Sequence, residues 1–334
     1  MRRPRDQLTK KIVRALDLFS GAGGSSLGAR LAGVQIVAAV DFWPLAKKTY
    51  LDNFNGVKFY CRKCEALSPK KVKHDVGPIE MLIASPECTN HSCAKGNAER
   101  SELSRETAFQ VIRFARVFSP RWIVVENVIQ MRKWHRYCEW IFRLKALGYN
   151  VREQTLNAVD FGMSQSRKRL FIIFDSEDTP PEIIPSAATY KEITARDVIN
   201  VNGEYAYSIL RKEGRAEPTL QRAERAIAAL GDNEPFLLVY YGTDGAGGWQ
   251  RIDAPLRTIT TVDRFAFVRP NKDGRHEMRM LQTPELKKAM GFPDSFRLNF
   301  GNRRDRIKLL GNAVCPPVMK AVIEALTGNP HRGQ

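Results

Sequence analysis

Residues 16–33, LDLFSGAGGSSLGARLAG, decide the fold. An apolar run ending at Phe19 gives way to a glycine turn and then to small and apolar residues at helical spacing, so strand, turn and helix follow one another. Gly21, Gly23 and Gly24 let the backbone approach a ligand closely, and the exposed amides at the helix start can hold an anion. The G-x-G-x-x-G dinucleotide pattern is left incomplete, because Ser26 stands where its third glycine would be. The next strand, VQIVAAVDF (34–42), ends on Asp41, where an acid is expected to accept hydrogen bonds from a ribose diol, and Phe42 beside it can stack on a base. A tight turn with a helix-capping aspartate would read the same way. An adenosyl ligand carrying a carboxylate in place of a pyrophosphate suits this turn.

Moving outward, EMLIAS (80–85), RWIVVENV (121–128) and RLFIIFD (169–175) read as further buried strands with helix-like segments between them. That rhythm predicts an α/β fold, a Rossmann-like and mainly parallel sheet that binds ligands at the carboxyl ends of its strands. The texture changes after Asp175. SEDTPPEIIPS (176–186) holds three prolines and reads as a linker. Beyond it, Pro218 and Gly231 bracket a helix, FLLVYYG (236–242) reads as a strand, and RIKLLGNAVCPPVMKAVIEAL (306–326) gives a glycine-asparagine turn and a terminal helix. The expected organisation is a ligand-binding catalytic domain over 1–178, a second, smaller domain over 179–300, and a C-terminal segment, 301–334, that returns to the first.

The chain carries 53 Lys and Arg against 36 Asp and Glu, a formal net charge of +17. So large an excess favours a polyanionic partner, nucleic acid first, because each neutralised phosphate releases counterions; a merely solvated basic surface is the bland alternative. Cys61, Cys64, Cys88, Cys93, Cys138 and Cys315 form no disulfide framework. Only Cys61 and Cys64 stand as C-x-x-C, with no second pair at zinc spacing, so no metal site is expected. No apolar run approaches the length of a membrane span, and the basic N-terminus lacks a signal-peptide core, so a cytoplasmic protein is expected.

Three strand ends bring chemistry together. LIASPECTNHS (82–92) ends a strand on Cys88, VVENV carries Glu126 between apolar residues, and QSRKRLF places Arg167 and Arg169 on alternate residues of one strand face. A thiol, a carboxyl group and guanidinium groups at one sheet edge suit covalent chemistry, since nearby positive charge favours the nucleophilic thiolate. Each has a structural reading as well: a small apolar residue, a salt-bridge partner and surface charge.

In order along the chain, DLFSGAGGSSLGARLAG, SPECTNHS, SRET, ENV, LNAVDFGMSQSRKRLFII, APLRTITT, MGFPDSF and LLGNAV resemble the motifs of the cytosine-5 DNA methyltransferases. The resemblance spans nearly the whole chain. It implies a class I methyltransferase domain that binds S-adenosylmethionine and a target-recognition domain between QSRKRLFII and RTITT. Carried over by position, Cys88 is implied as the nucleophile that adds to carbon 6 of a cytosine. Glu126 would hold the ring nitrogen and exocyclic amine, while Arg169 and Arg167 would contact the base oxygen and order the loop. Phe19, Gly21 and Gly23 are implied around the methionine and adenosine, Asp41 on the ribose, Phe42 on the adenine face, Glu65 at the adenine amine, and Asn312 closing the site. Flipping of the target base out of double-stranded DNA is implied too, since its ring atoms are unreachable in a stacked duplex.

This chain departs from the family pattern in three places. Glu87 and Thr89 flank the nucleophile where proline and glutamine are usual, and Cys315 replaces a proline after GNAV. A carboxylate beside a thiol raises its pKa unless the carboxylate points away, so Glu87 is expected to turn outward. NHSCAKGNAERSELSRET (90–107) reads as a loop closing over DNA with Lys95, Arg100 and Arg105 on phosphates. YYGTDGAGGWQR (240–251) reads either as a groove-entering loop or as a hairpin with a packed Trp249. An RNA substrate and a catalytically silent DNA-binding homologue are the competing readings. The sizeable second domain favours DNA, and the retained Cys88, Glu126 and Arg169 favour catalysis. A monomer is expected, and no cognate endonuclease can be inferred from these residues.

Overall fold

A computed structural model describes residues 12–86, 106–185, 193–201, 205–240 and 247–328. The first lobe runs β1 (Arg14–Leu18), α1 (Gly24–Leu31), β2 (Gln35–Val40), α2 (Pro44–Asn53), β3 (Lys58–Tyr60), α3 (Pro69–Val76), β4 (Met81–Ala84), α4 (Phe109–Phe118), β5 (Trp122–Asn127), α5 (Tyr137–Lys145), β6 (Asn150–Asn157) and β7 (Lys168–Asp175). Its seven strands lie in the order β3-β2-β1-β4-β5-β7-β6. The strands from β3 to β5 are parallel. Continuous apolar runs such as MLIA and WIVV form strands because helices cover both faces, and alternate residues then serve opposite cores. Met81, Ile83 and Val124 face one apolar layer, while Leu82, Ala84, Ile123 and Val125 face the other.

Two features differ from the simple parallel rhythm. β7 is antiparallel to β5, because the chain reaches it through an edge strand, β6, with which it pairs antiparallel. β6 itself, NVREQTLN, is mostly polar and half-buried or exposed except at Leu156, so an apolar-run criterion passes over it. The proline-rich stretch is pinned along this edge. Ile183 is buried, and its N–H and C=O bond the Gln154 side chain at 2.9 and 2.7 Å.

The second lobe comprises β8 (Ser208–Ile209), α6 (Glu217–Leu230), β9 (Phe236–Val239), β10 (Trp249–Arg251), β11 (Phe265–Pro270) and β12 (His276–Met280). Its antiparallel sheet has the order β10-β9-β11-β12-β8. One face, with Phe236, Leu238, Ala266 and Val268, packs on α6 through Ala223 and Ala226. The opposite face, with Leu237, Val239, Phe265 and Phe267, merges with the core of the first lobe. Trp249 pairs with Leu238 and packs at the edge of the lobe's own core, the hairpin alternative for this residue.

α7 (Thr283–Ala289), α8 (Arg303–Asn312) and α9 (Pro316–Thr327) complete the chain. The stretch Arg303–Thr327 is long and apolar enough to span a bilayer, yet it is two helices broken before Pro316 and mostly buried inside the protein. α9 lies directly on α1. A Cβ on Gly28 would stand 2.5 Å from the Pro316 carbonyl oxygen, so only glycine allows this approach.

Candidate active site

Strand order reverses on either side of β1, whose neighbours are β2 and β4, and the crevice expected at such a switch point is present. It is a cleft of about 300 Å³. Phe19, Gly21, Asp41, Phe42, Ser85 and Glu126 line it from the sheet side. Lys308, Leu309, Asn312 and Val314 line it from the C-terminal side.

The glycine turn is held in an unusual backbone shape. Phe19 has φ 59°, in the left-handed region that costs a non-glycine residue on the order of 1–2 kcal/mol. Asp41 fixes the turn from outside: one carboxylate oxygen accepts the Gly21 N–H at 2.9 Å and the other accepts the Trp43 N–H at 2.8 Å. A Cβ on Gly21 would meet nothing within 4 Å, which leaves open space above this residue. Gly23 serves packing instead, since a Cβ there would lie 2.5 Å from the Phe54 ring.

Beneath the turn, Asp17 is fully buried and accepts the Ser25 and Ser26 hydroxyls at 2.6 Å each. Ser26 also bonds the Tyr50 hydroxyl at 2.7 Å. Burial pushes the Asp17 carboxyl up to about 7, against the pull of its serine hydrogen bonds. The residue that breaks the dinucleotide pattern thus ties β1, α1 and α2 together.

Glu126 ends β5 at the floor of the cleft and is buried, with one oxygen 3.2 Å from Nε of Arg169. Burial raises its pKa, opposed by the charge of Arg169 and then of Arg167. Asn127 donates from Nδ2 to the Pro86 carbonyl at 3.1 Å, fixing the chain two residues before Cys88. Arg167 is buried, and its terminal nitrogens donate to the carbonyls of Ile259, Gly311 and Ala313 at 2.8, 2.8 and 3.1 Å. It therefore clamps the extended segment returning from the second lobe and the end of α8, where Gly311 and Asn312 are helical in place of the expected turn, onto β7.

Residues 13–328 match the C-5 cytosine-specific DNA methylase family. The chain belongs to this family. The methyltransferase is similar to the type II methyltransferase M.MthTI of Methanothermobacter thermautotrophicus, with 25% identity over 311 residues covering 89% of this chain and 91% of that one. It is also similar to M.HindV of Haemophilus influenzae, 27% identical over 323 residues, 94% of this chain and 96% of the other. In fold it is similar to the Entamoeba histolytica methyltransferase EhMeth, with a TM-score of 0.69 at 17% identity, covering 95% of this chain and 98% of that one. This DNA (cytosine-5-)-methyltransferase carries the α/β fold expected of it.

Of the residues singled out in the methyltransferase sequence, Phe19, Gly21, Asp41, Phe42, Glu126 and Asn312 line one cleft. Gly23, Glu65, Arg167 and Arg169 are not among its lining residues. Glu65 is exposed on a short 3-10 turn, and Arg169 reaches the site through Glu126. Cys88 lies outside the described residues, as do Glu87, Thr89 and the proposed loop cations Lys95, Arg100 and Arg105. Cys315 is buried and its thiol is pushed up by burial, so it packs as a small apolar group. Sequence reading passed over Asp17, Asn127 and Lys308. Asp17 and Asn127 stood inside quoted motifs, DLF and ENV, where a polar residue in an otherwise buried strand was the available signal.

Proposed function

We propose that this enzyme methylates carbon 5 of a cytosine flipped out of double-stranded DNA, with Cys88 as nucleophile and S-adenosylmethionine as methyl donor. The observation that carries the reading is the convergence, at one switch-point cleft, of the glycine turn, buried Glu126 and Pro86, two residues before Cys88. A cleft of about 300 Å³, open above Gly21, with the Asp41 carboxylate at one wall, fits an elongated adenosyl amino acid in size and polarity. Phe19, Gly21, Asp41, Phe42 and Asn312 would hold that molecule. When bound, it supplies an electrophilic methyl group beside the base.

The chain's own residues account for the rest. The Cys88 thiolate adds to carbon 6 of the ring, and the electron pair displaced from the 5,6 double bond makes carbon 5 nucleophilic. Glu126, whose pKa burial raises, donates to the ring nitrogen and accepts from the exocyclic amine as that charge develops. Arg169 orients the Glu126 carboxyl, and Arg167 holds the second lobe and the end of α8 in register. After methyl transfer, loss of the carbon 5 proton and expulsion of the thiolate restore the ring. The second lobe, read as the target-recognition domain, would lie along the duplex, and a cytoplasmic monomer meets these requirements.

The test is to incubate the protein with duplex DNA carrying 5-fluorocytosine and with S-adenosylmethionine. A denaturant-resistant protein–DNA adduct is expected, and Cys88→Ser should abolish both adduct and turnover while retaining DNA binding. Near-normal methylation by Cys88→Ser would refute the nucleophile assignment. Methylation of tRNA in preference to duplex DNA would overturn the substrate.

A further inference from the structure

Trp43 and Lys308 bridge the two sets of residues that line the cleft. The Lys308 ammonium lies 4.9 Å from the centroid of the Trp43 ring, and both residues line the cavity. Trp43 sits at the start of α2, half-buried against the core, with its N–H held by the Asp41 carboxylate that also holds Gly21. Lys308 stands one helical turn before Asn312 on α8, so the two share a face, and among the described lining residues it is the one cation. The Lys308 side chain is otherwise exposed. Nothing in the turnover steps above requires either residue.

We propose that Trp43 and Lys308 form a clasp across the mouth of the cleft that retains the adenosyl ligand and sets its rate of exchange. This rests on the cofactor reading given above. Both are positioning residues. The cation–π contact joins two elements far apart in the chain, and it must part for a ligand to pass between them. Because Trp43 is tied through Asp41 to the glycine turn, the clasp acts on the adenosine end. It should therefore treat methyl donor and demethylated product alike.

An exposed cation–π contact corresponds to roughly a two- to fivefold effect. Lys308→Met keeps the side-chain stem and removes the charge. It is expected to raise the dissociation rates of S-adenosylmethionine and S-adenosylhomocysteine by about that factor, equally for both, as read by stopped-flow fluorescence. Trp43→Leu should do the same, the double variant should be no worse than either single one, and Lys308→Arg should restore retention. Unchanged dissociation in Lys308→Met, or effects of the two substitutions that simply multiply, would overturn the clasp while leaving the cofactor reading intact. Wild-type protein that binds neither compound would overturn the cofactor reading, and the clasp with it.

Discussion

Glu126 is a carboxyl group held where charge is costly, beside Asn127 at the end of a buried and largely apolar strand, with one guanidinium 3.2 Å away. Burial raises its pKa and Arg169 opposes the rise. A carboxyl group whose pKa is raised in this way is better suited to share a proton with a ring nitrogen than an exposed one. Glu126→Gln keeps the shape and removes the titration, so it should lower kcat by roughly 10²–10⁴-fold while DNA affinity changes little. The sign of the pH effect follows from two opposed ionisations. Thiolate at Cys88 grows with pH, whereas protonated Glu126 declines as pH rises through its raised pKa, so the wild-type rate profile should be a bell. Glu126→Gln should lose the alkaline limb alone, and a profile still falling at high pH in this variant would assign that limb to another group. Sequence made Glu126 legible because a carboxylate inside VVENV has no packing reason to be there. The partner role of Arg167 was not legible, since R-x-R spacing says which face a side chain shares and nothing about the carbonyls it meets.

Elements meet here through residues chosen for what they lack or what they hide. A Cβ on Gly24 would stand 2.2 Å from the Val314 carbonyl oxygen, so α1 and the turn after α8 touch backbone to backbone. Gly24→Ala should displace Val314 and Asn312 from the cleft, costing about 1–3 kcal/mol of stability and weakening cofactor binding together, as measured by thermal denaturation with and without S-adenosylhomocysteine. The joint below it is held by Asp17. Its carboxyl goes from the ordinary 3.8 to about 7 on folding, so the folded chain keeps a proton that the unfolded chain sheds. Stability from this group is fully present below about pH 4 and is lost as pH rises to about 7, a fall of roughly 4 kcal/mol. Asp17→Asn should flatten that part of the profile, and wild-type and variant denaturation curves with the same pH dependence would show that the carboxyl does not titrate there. The strands carrying these joints were readable because they are buried on both faces. β3 and β6 were not, because edge strands need no apolar run, and the antiparallel turn of β7 depends on β6.

At the scale of the molecule, one buried side chain joins the parts that the linear reading separated. The order of the motifs was legible, and the apolar helix α9 that follows LLGNAV is one that needs a partner; it finds α1. The degree of fusion was not legible, since it depends on which face of the second sheet stays uncovered by α6, and Leu237, Val239, Phe265 and Phe267 give that face to the first lobe. Arg167 secures the seam, donating to Ile259 in the extended segment returning from the second lobe and to Gly311 and Ala313 at the end of α8. A lysine places one ammonium where three carbonyls are arranged around a planar fork, and it leaves part of that set buried without a donor. Arg167→Lys should therefore cost about 2–5 kcal/mol, on the scale of one to two unsatisfied buried polar groups. The loss should be specific in kind: calorimetric unfolding, expected to be one cooperative transition in the wild type, should broaden or divide as the second lobe comes free of the first. DNA affinity should fall as well, because a duplex contacted by both lobes is held by its phosphates only while the lobes keep their register. A variant that unfolds in a single sharp transition at the wild-type temperature would mean that the apolar seam suffices and that Arg167 does not hold the lobes together.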